Sequence, residues 1–175
     1  FKEAIKSWRI NPFHGALVGG ASHAAYLRSL DFRGPVAYGY DVVDNAYFTA
    51  ESAQWRAHDP RLGLISWPYI LASNRFMERK NLHRLVQAFA AVARSDHYGD
   101  AAAVDLCLMG DGPQRAALQA TGKALGLAVV AAAPWELSGN DPAMPTSPRV
   151  FLPGFRQIDE LPRFYAHACG FVHPA

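Results

Sequence analysis

Short apolar runs alternate along this chain with longer stretches of helical period, and that alternation predicts repeated strand–helix–strand units. Tyr69-Ile70-Leu71-Ala72 is apolar on both faces, as a strand buried inside a parallel sheet must be. It is followed by Leu82, Leu85, Val86, Phe89 and Ala93 at helical spacing, with Arg84, Gln87 and Arg94 on other faces. Upstream, Glu3 to Trp8 reads as the tail of a helix. Ala16-Leu17-Val18 is a strand stopped by Gly19-Gly20, and Ser22 caps a helix through Leu30 whose apolar side is Ala24, Leu27 and Leu30. Gly34-Pro35 makes a turn into a second strand, Val36-Ala37-Tyr38.

Downstream the rhythm continues. Asp96 to Asp100 make a turn, Val104 to Met109 a strand, and Pro113 opens a helix that runs to about Leu125 and stops at Gly126. Val129 to Ala132 fits either a short strand or a collapsed loop. Pro134 to Pro148, with prolines at 134, 142, 145 and 148, reads as a variable, mobile surface excursion. Arg149 to Leu152 returns as a strand into Pro153-Gly154. Asp159 then caps a short helix with Pro162 in its first turn and Leu161, Phe164, Tyr165 and Ala168 inward, before a last strand from Gly170 to His173. The fold class expected from this order is α/β, with Rossmann-like parallel sheets.

One stretch breaks the pattern. Gly39 to Phe48 has no clean period, and from Thr49 to Leu62 polar residues and alanines dominate around Trp55. A helix along Glu51 to His58, ended by Asp59-Pro60, would serve as a connector. The expected organisation is a first unit at 1–43, a linker at 44–66 and a second unit at 67–175, the boundary falling between about Val43 and Ser66.

Composition narrows the class. With 175 residues, 50% of them hydrophobic, the chain has material for one core or one and a half. A net charge of +2 exerts no general pull toward nucleic acid or anionic membrane. No apolar run is long enough to span a bilayer, and Phe1-Lys2-Glu3-Ala4-Ile5-Lys6 does not look like a signal peptide. Cys107 and Cys169 sit in apolar contexts and are expected as buried free thiols. The expectation is a cytoplasmic protein. A start without Met and a stop just after an apparent strand read as a fragment cut at both ends.

The candidate chemistry lies in the loop Ser73-Asn74-Arg75-Phe76-Met77-Glu78-Arg79-Lys80-Asn81. With Asn81 as N-cap, Arg75, Arg79 and Lys80 stand beside a helix N-terminus whose free N–H groups favour an anion. A guanidinium fork, a flexible ammonium and a helix end suit a phosphate or diphosphate. Spacing alone also fits solvated surface charges. Glu78 suits orienting Arg79 or Lys80, or solvation, better than acting as a base. Gly110-Asp111-Gly112 after a strand suggests a dinucleotide fingerprint, but Arg115 occupies its third small position, so a tight turn is the favoured reading. The seven histidines form no pair at metal-ligand helical spacing, and no zinc pattern, Gly-x-Ser-x-Gly elbow or Walker loop is present. His173 falls at a strand end, where it is either a ligand contact or a satisfied edge residue.

Arg75 to Leu82, Leu108 to Pro113, Val150 to Phe155, Leu161 to Tyr165 and Phe171 to Pro174 occur in the order of a known family. Together they resemble the retaining GT-B glycosyltransferases of the group 1 type, from Ala16 to the C-terminus except 134–148. The resemblance implies two Rossmann-like domains facing across a cleft, of which 1–43 would be the end of the acceptor domain and 67–175 an incomplete donor domain, with Gly39 to Phe48 crossing between them. Arg75 and Lys80 would grip the donor diphosphate and stabilise charge on it as it leaves, without a metal and with no cofactor beyond the nucleotide-diphosphate sugar. Gly110 and Gly112 would let the backbone approach the donor, and Gly154, Phe155 and His173 would also contact it. The acceptor (a saccharide, a lipid-linked glycan or a small molecule), the base and the sugar stay open. The family's Glu-x7-Glu pair has no counterpart before the chain stops, so these 175 residues alone are expected to transfer no sugar. The alternative is a non-catalytic nucleotide- or anion-binding module of the same fold. A relative transferring to phosphate would need a cofactor lysine that has no counterpart here.

Overall fold

A computed structural model describes residues 1–60, 68–93, 104–136 and 148–174. Arg94, the turn at Asp96–Asp100, most of the Pro134–Pro148 stretch and the region around Ser66 lie outside the described residues. The chain forms two compact units, Phe1–Asn45 and Ala46–Ala175.

In the first unit, α1 (Lys2–Ile10) precedes β1 (Ala16–Val18), α2 (Ala21–Ser29) and β2 (Val36–Tyr38), and the two strands pair in parallel from Ala16↔Val36 to Val18↔Tyr38. Its small core holds Val18, Leu30 and Phe32. Gly34 closes the turn because a Cβ there would stand 2.6 Å from the Phe32 ring and 2.9 Å from the His14 carbonyl. Helix α2 begins one residue before the expected Ser22, with Gly20 as N-cap.

The second unit contains α3 (Asn45–His58), β3 (Tyr69–Ser73), α4 (Leu82–Ala93), β4 (Asp105–Met109), α5 (Arg115–Ala124), β5 (Ala128–Val130), β6 (Arg149–Gly154), α6 (Leu161–His167) and β7 (Ala168–Phe171). The strands form one parallel sheet in the order β5-β6-β4-β3-β7. This is a Rossmann-like α/β fold. Residues 128–130, open between strand and loop in the sequence, form a strand against β6. Helix α3 is longer than the expected connector, and its buried Ser52 donates a hydrogen bond to the Pro162 carbonyl at 3.1 Å.

Alternation along the strands sorts the core into two layers. Ala72, Leu106, Leu108, Val150 and Leu152 pack with Leu82, Val86, Phe89 and Leu118 from α4 and α5. Tyr69, Leu71, Cys107, Met109 and Phe151 face Trp135 and Phe164 on the other side. Both faces being covered is why these strands read as continuous apolar runs. Helix α5 ends as its glycine predicts: Gly126 (φ 70°) donates to the Lys123 carbonyl, and Leu127 to that of Gly122.

Four local expectations are corrected. Strand β7 starts at Ala168 rather than Gly170, because a bulge between Tyr69 and Ile70 admits Cys169 as an extra residue. The bulge leaves Cys169 exposed, its thiol donating to the Tyr69 carbonyl, so only Cys107 is the buried free thiol expected. In α6 Phe164 is buried and Leu161 and Ala168 pack against the same core as expected, Pro162 and Ala166 are buried as well, and Glu160 is the N-cap in place of Asp159. Tyr165 points outward, 37% exposed, and its ring meets those of Phe48 and Phe171 at 6.0 and 5.9 Å.

Candidate binding site at the carboxyl edge of the sheet

Strands β3, β4 and β6 run in one direction, so the loops that leave them gather at one edge. Phe76, 1% exposed, anchors the β3 loop in the α4–α5 layer. Main-chain hydrogen bonds then knit the three loops together. Asn74 N–H donates to the Met109 carbonyl (3.0 Å), Phe76 N–H to that of Asp111 (2.8 Å), Gln114 N–H to that of Phe76 (3.1 Å), and Gly110 N–H to that of Gly154 (2.9 Å). This closeness requires glycine. A Cβ at Gly110 (φ 129°) would lie 1.9 Å from the Asn74 carbonyl oxygen, and one at Gly112 (φ 153°) 2.6 Å from that of Phe76.

A cavity of about 540 Å³ opens between the loops. Ser73, Asn74 and Arg75 form one side, Met109, Gly110 and Asp111 a second, and Phe155, Arg156 and Leu161 a third. Parallel α/β sheets commonly bind ligands at this edge. Arg75 is an exposed part of its wall, as is Phe155, 69% exposed. The structure thus brings Arg75, Gly110 and Phe155 to one cavity. Lys80, half-buried in a 3-10 turn at Glu78–Lys80, is not among the residues lining it, nor are Gly112, Gly154 and His173. Gly112 and Gly154 contribute to the framework through the main chain, and His173 lies exposed beyond the end of β7. Asn81 precedes α4 as expected, but in a left-handed conformation (φ 53°), donating to the Glu78 carbonyl at 2.9 Å. Asparagine tolerates that region better than most residues.

Two residues of the wall were not singled out from the sequence. Arg156 donates to Glu160 Oε1 (3.0 Å) and Glu136 Oε1 (2.8 Å), while its Nε is buried without a partner. Burial opposes its charge, but the hydrogen bonds to Glu160 and Glu136 outweigh burial and raise its pKa. Asn74, 8% exposed, buries both Nδ2 and Oδ1 without a hydrogen-bond partner. The remaining unpartnered buried side-chain atom among the described residues, Arg115 Nη1, stands at the same edge, 3.8 Å from Asp111 Oδ1 and so beyond hydrogen-bond length. An asparagine beside a loop arginine carries no sequence signature of being buried, and Arg156 reads as an ordinary surface residue two positions past Gly154.

Arg156 also borders a second hollow of about 460 Å³, with Trp55, Trp135 and Arg163. There the charges are matched. Arg163 lies between Trp55 and Trp135 (4.7 and 4.4 Å to the ring centres) and donates twice to Asp59 at 2.6 Å, and His167 Nε2 lies 2.9 Å from Asp59 Oδ2. Among the described residues, no group of three or more His, Cys, Asp and Glu is placed to hold a metal ion, and no helix is long and apolar enough to cross a membrane.

No protein-family model matches the chain, and no curated protein matches it.

Proposed function

We propose that the carboxyl-edge cavity binds the diphosphate of a nucleotide-diphosphate sugar, in a glycosyltransferase that passes the sugar to an acceptor with retention. The observation that carries this is Arg75 in the wall of a cavity at the edge where parallel sheets commonly bind ligands. When the sugar–phosphate bond breaks, negative charge grows on the leaving diphosphate. A fixed cation that meets this charge lowers the barrier; losing one such donor costs about 3 kcal/mol, or roughly a hundredfold in rate. In this reading Lys80 supplies the second cation from the neighbouring 3-10 turn, and Phe155 gives the nucleoside an apolar surface. The order of motifs resembling group 1 GT-B enzymes supports the same assignment.

One observation favours a second reading. Lys80 is not among the residues lining the cavity, so a wall whose cations are Arg75 and the carboxylate-paired Arg156, next to unpartnered polar groups, also suits a non-catalytic nucleotide- or anion-binding module. Titration calorimetry with UDP and GDP, on wild type, Arg75→Ala and Lys80→Ala, separates the two. Weakening by both substitutions is expected for the transferase donor site, and weakening by Arg75→Ala alone favours the module. Equal binding by all three proteins would remove the diphosphate assignment.

A further inference from the structure

We propose that Asn74 determines ligand specificity in the carboxyl-edge cavity by recognising a hydroxyl group next to the phosphate held at Arg75. The ligand class is therefore a hydroxyl-bearing phosphate ester, with a bare phosphate or pyrophosphate the poorer fit. This rests on the anion-binding reading of the cavity and adds a second recognition element to it.

Asn74 is more than nine-tenths buried, lines the cavity, and has no hydrogen-bond partner for either its amide nitrogen or its amide oxygen. Arg115 Nη1 and Arg156 Nε are the other unpartnered buried atoms among the described residues, both on side chains that bond through other atoms, whereas the remaining buried polar residues are satisfied. Ser52 bonds the Pro162 carbonyl, Asp59 holds Arg163, and Asp105 holds Arg149. Folding keeps buried polar groups only when they are paired, so an amide left without a partner inside a cavity wall is set aside for a ligand. The backbone that carries it is fixed. The Asn74 N–H is tied to Met109 in the sheet extension, and its carbonyl is pressed by Gly110 so closely that a Cβ there has no room.

The chemistry of the amide narrows what that ligand presents. Nδ2 donates only and Oδ1 accepts only. Phosphate oxygens at neutral pH accept, so a bare anion satisfies Nδ2 and sets negative charge against Oδ1. A hydroxyl satisfies both atoms, donating to Oδ1 while accepting from Nδ2. The neighbouring wall cations, Arg75 and Arg156, offer only donors. Asp111 does carry acceptor oxygens in this wall, but its Oδ1 already takes the Gly112 N–H at 2.8 Å. Division of labour follows: the guanidinium takes the phosphate, and the amide reads the hydroxyl beside it.

The test is calorimetry with pyrophosphate, ribose 5-phosphate, UDP and UDP-glucose on wild type, Asn74→Ala and Asn74→Ser. Asn74→Ala is expected to weaken the hydroxyl-bearing ligands that bind by about tenfold and to leave pyrophosphate unchanged. Asn74→Ser, which keeps a donor and an acceptor, is expected to retain part of the affinity. Thermal unfolding of ligand-free Asn74→Ala should match or exceed wild type; marked destabilisation would show a structural partner and overturn the proposal. Equal affinities of wild type and Asn74→Ala for UDP and UDP-glucose overturn it while leaving the donor reading intact. Binding of ribose 5-phosphate that depends on Asn74, with no binding of UDP or UDP-glucose, sustains it and removes the donor reading. No binding of any of the four by wild type removes both.

Discussion

The two edges of the five-stranded sheet treat buried polarity in opposite ways. At the amino edge, Asp105 and Arg149 open β4 and β6 with side chains 1% and 4% exposed. Arg149 donates to Asp105 through Nη2 (2.6 Å), through Nε (3.0 Å to Oδ2) and through its backbone N–H (3.0 Å to Oδ1). Burial pushes the Asp105 carboxyl up, against the opposing hold of Arg149. At the carboxyl edge, Asn74, Arg156 and Arg115 each bury polar atoms that bond nothing, around an open cavity. A matched pair that costs desolvation specifies how strands meet, whereas the unmatched set is what the proposed ligand would pair. On the proposed reading, stability and recognition sit at opposite ends of the same strands.

The sharpest way to break this contrast is at the amino edge. Asp105→Ala removes the buried carboxylate that Arg149 bonds through its backbone N–H, Nε and Nη2, and should cost about 3–5 kcal/mol by denaturant unfolding. Replacing both partners together, Asp105→Leu with Arg149→Met, should recover most of that loss. If the single variant proves as stable as wild type, the pair does not hold the strands. Gly110→Ala comes next, because it drives a methyl into the Asn74 carbonyl. It should cost about 1–3 kcal/mol and also reduce anion binding, since the cavity wall must shift. A variant that lost stability but bound UDP normally would separate the framework from the site.

Arg75→Ala sharpens the other side. Its side chain is exposed, so stability should change by less than about 0.5 kcal/mol, while UDP affinity falls by about 2 kcal/mol, roughly thirtyfold. The smallest effect belongs to acid. The backbone N–H of Gln157 and then Arg156 hold the Glu160 carboxyl below the usual glutamate range. A lowered folded-state pKa means the contribution is present above the ordinary glutamate value and is lost as pH falls through the lowered one. Glu160→Gln should therefore flatten part of the acid limb of a stability–pH profile and leave the neutral region almost unchanged.

Much of the sheet was legible because its physics is local. Strands β3 and β4 are covered on both faces, so between Tyr69 and Ala72 and between Leu106 and Met109 their side chains are apolar, and α4 shows its stripe from Leu82 to Ala93. The start of β7 was not legible, since the bulge at Cys169 depends on how Tyr69 and Ile70 meet their partners. Tyr165 misled for a related reason. Its neighbours Leu161, Phe164 and Ala168 do pack on the core, but Tyr165 lies off that stripe and meets the rings of Phe48 and Phe171 instead. At the site, the glycines stood out in the sequence, but the reason for Gly110 is another loop's carbonyl, which only the fold brings near. Arg75 was visible as a cation after a strand. Asn74 was not, because lacking a partner is a property of three dimensions.

The main-chain lacing of the loops after β3 and β4 has a kinetic corollary. Phe76 is clamped from both sides, its N–H on Asp111 and its carbonyl receiving Gln114, while its ring sits in the interior. The proposed ligand would therefore meet a floor already set, with little chain entropy left to surrender on arrival. Association should then run at the pace of encounter, without a slow closing phase in stopped-flow traces.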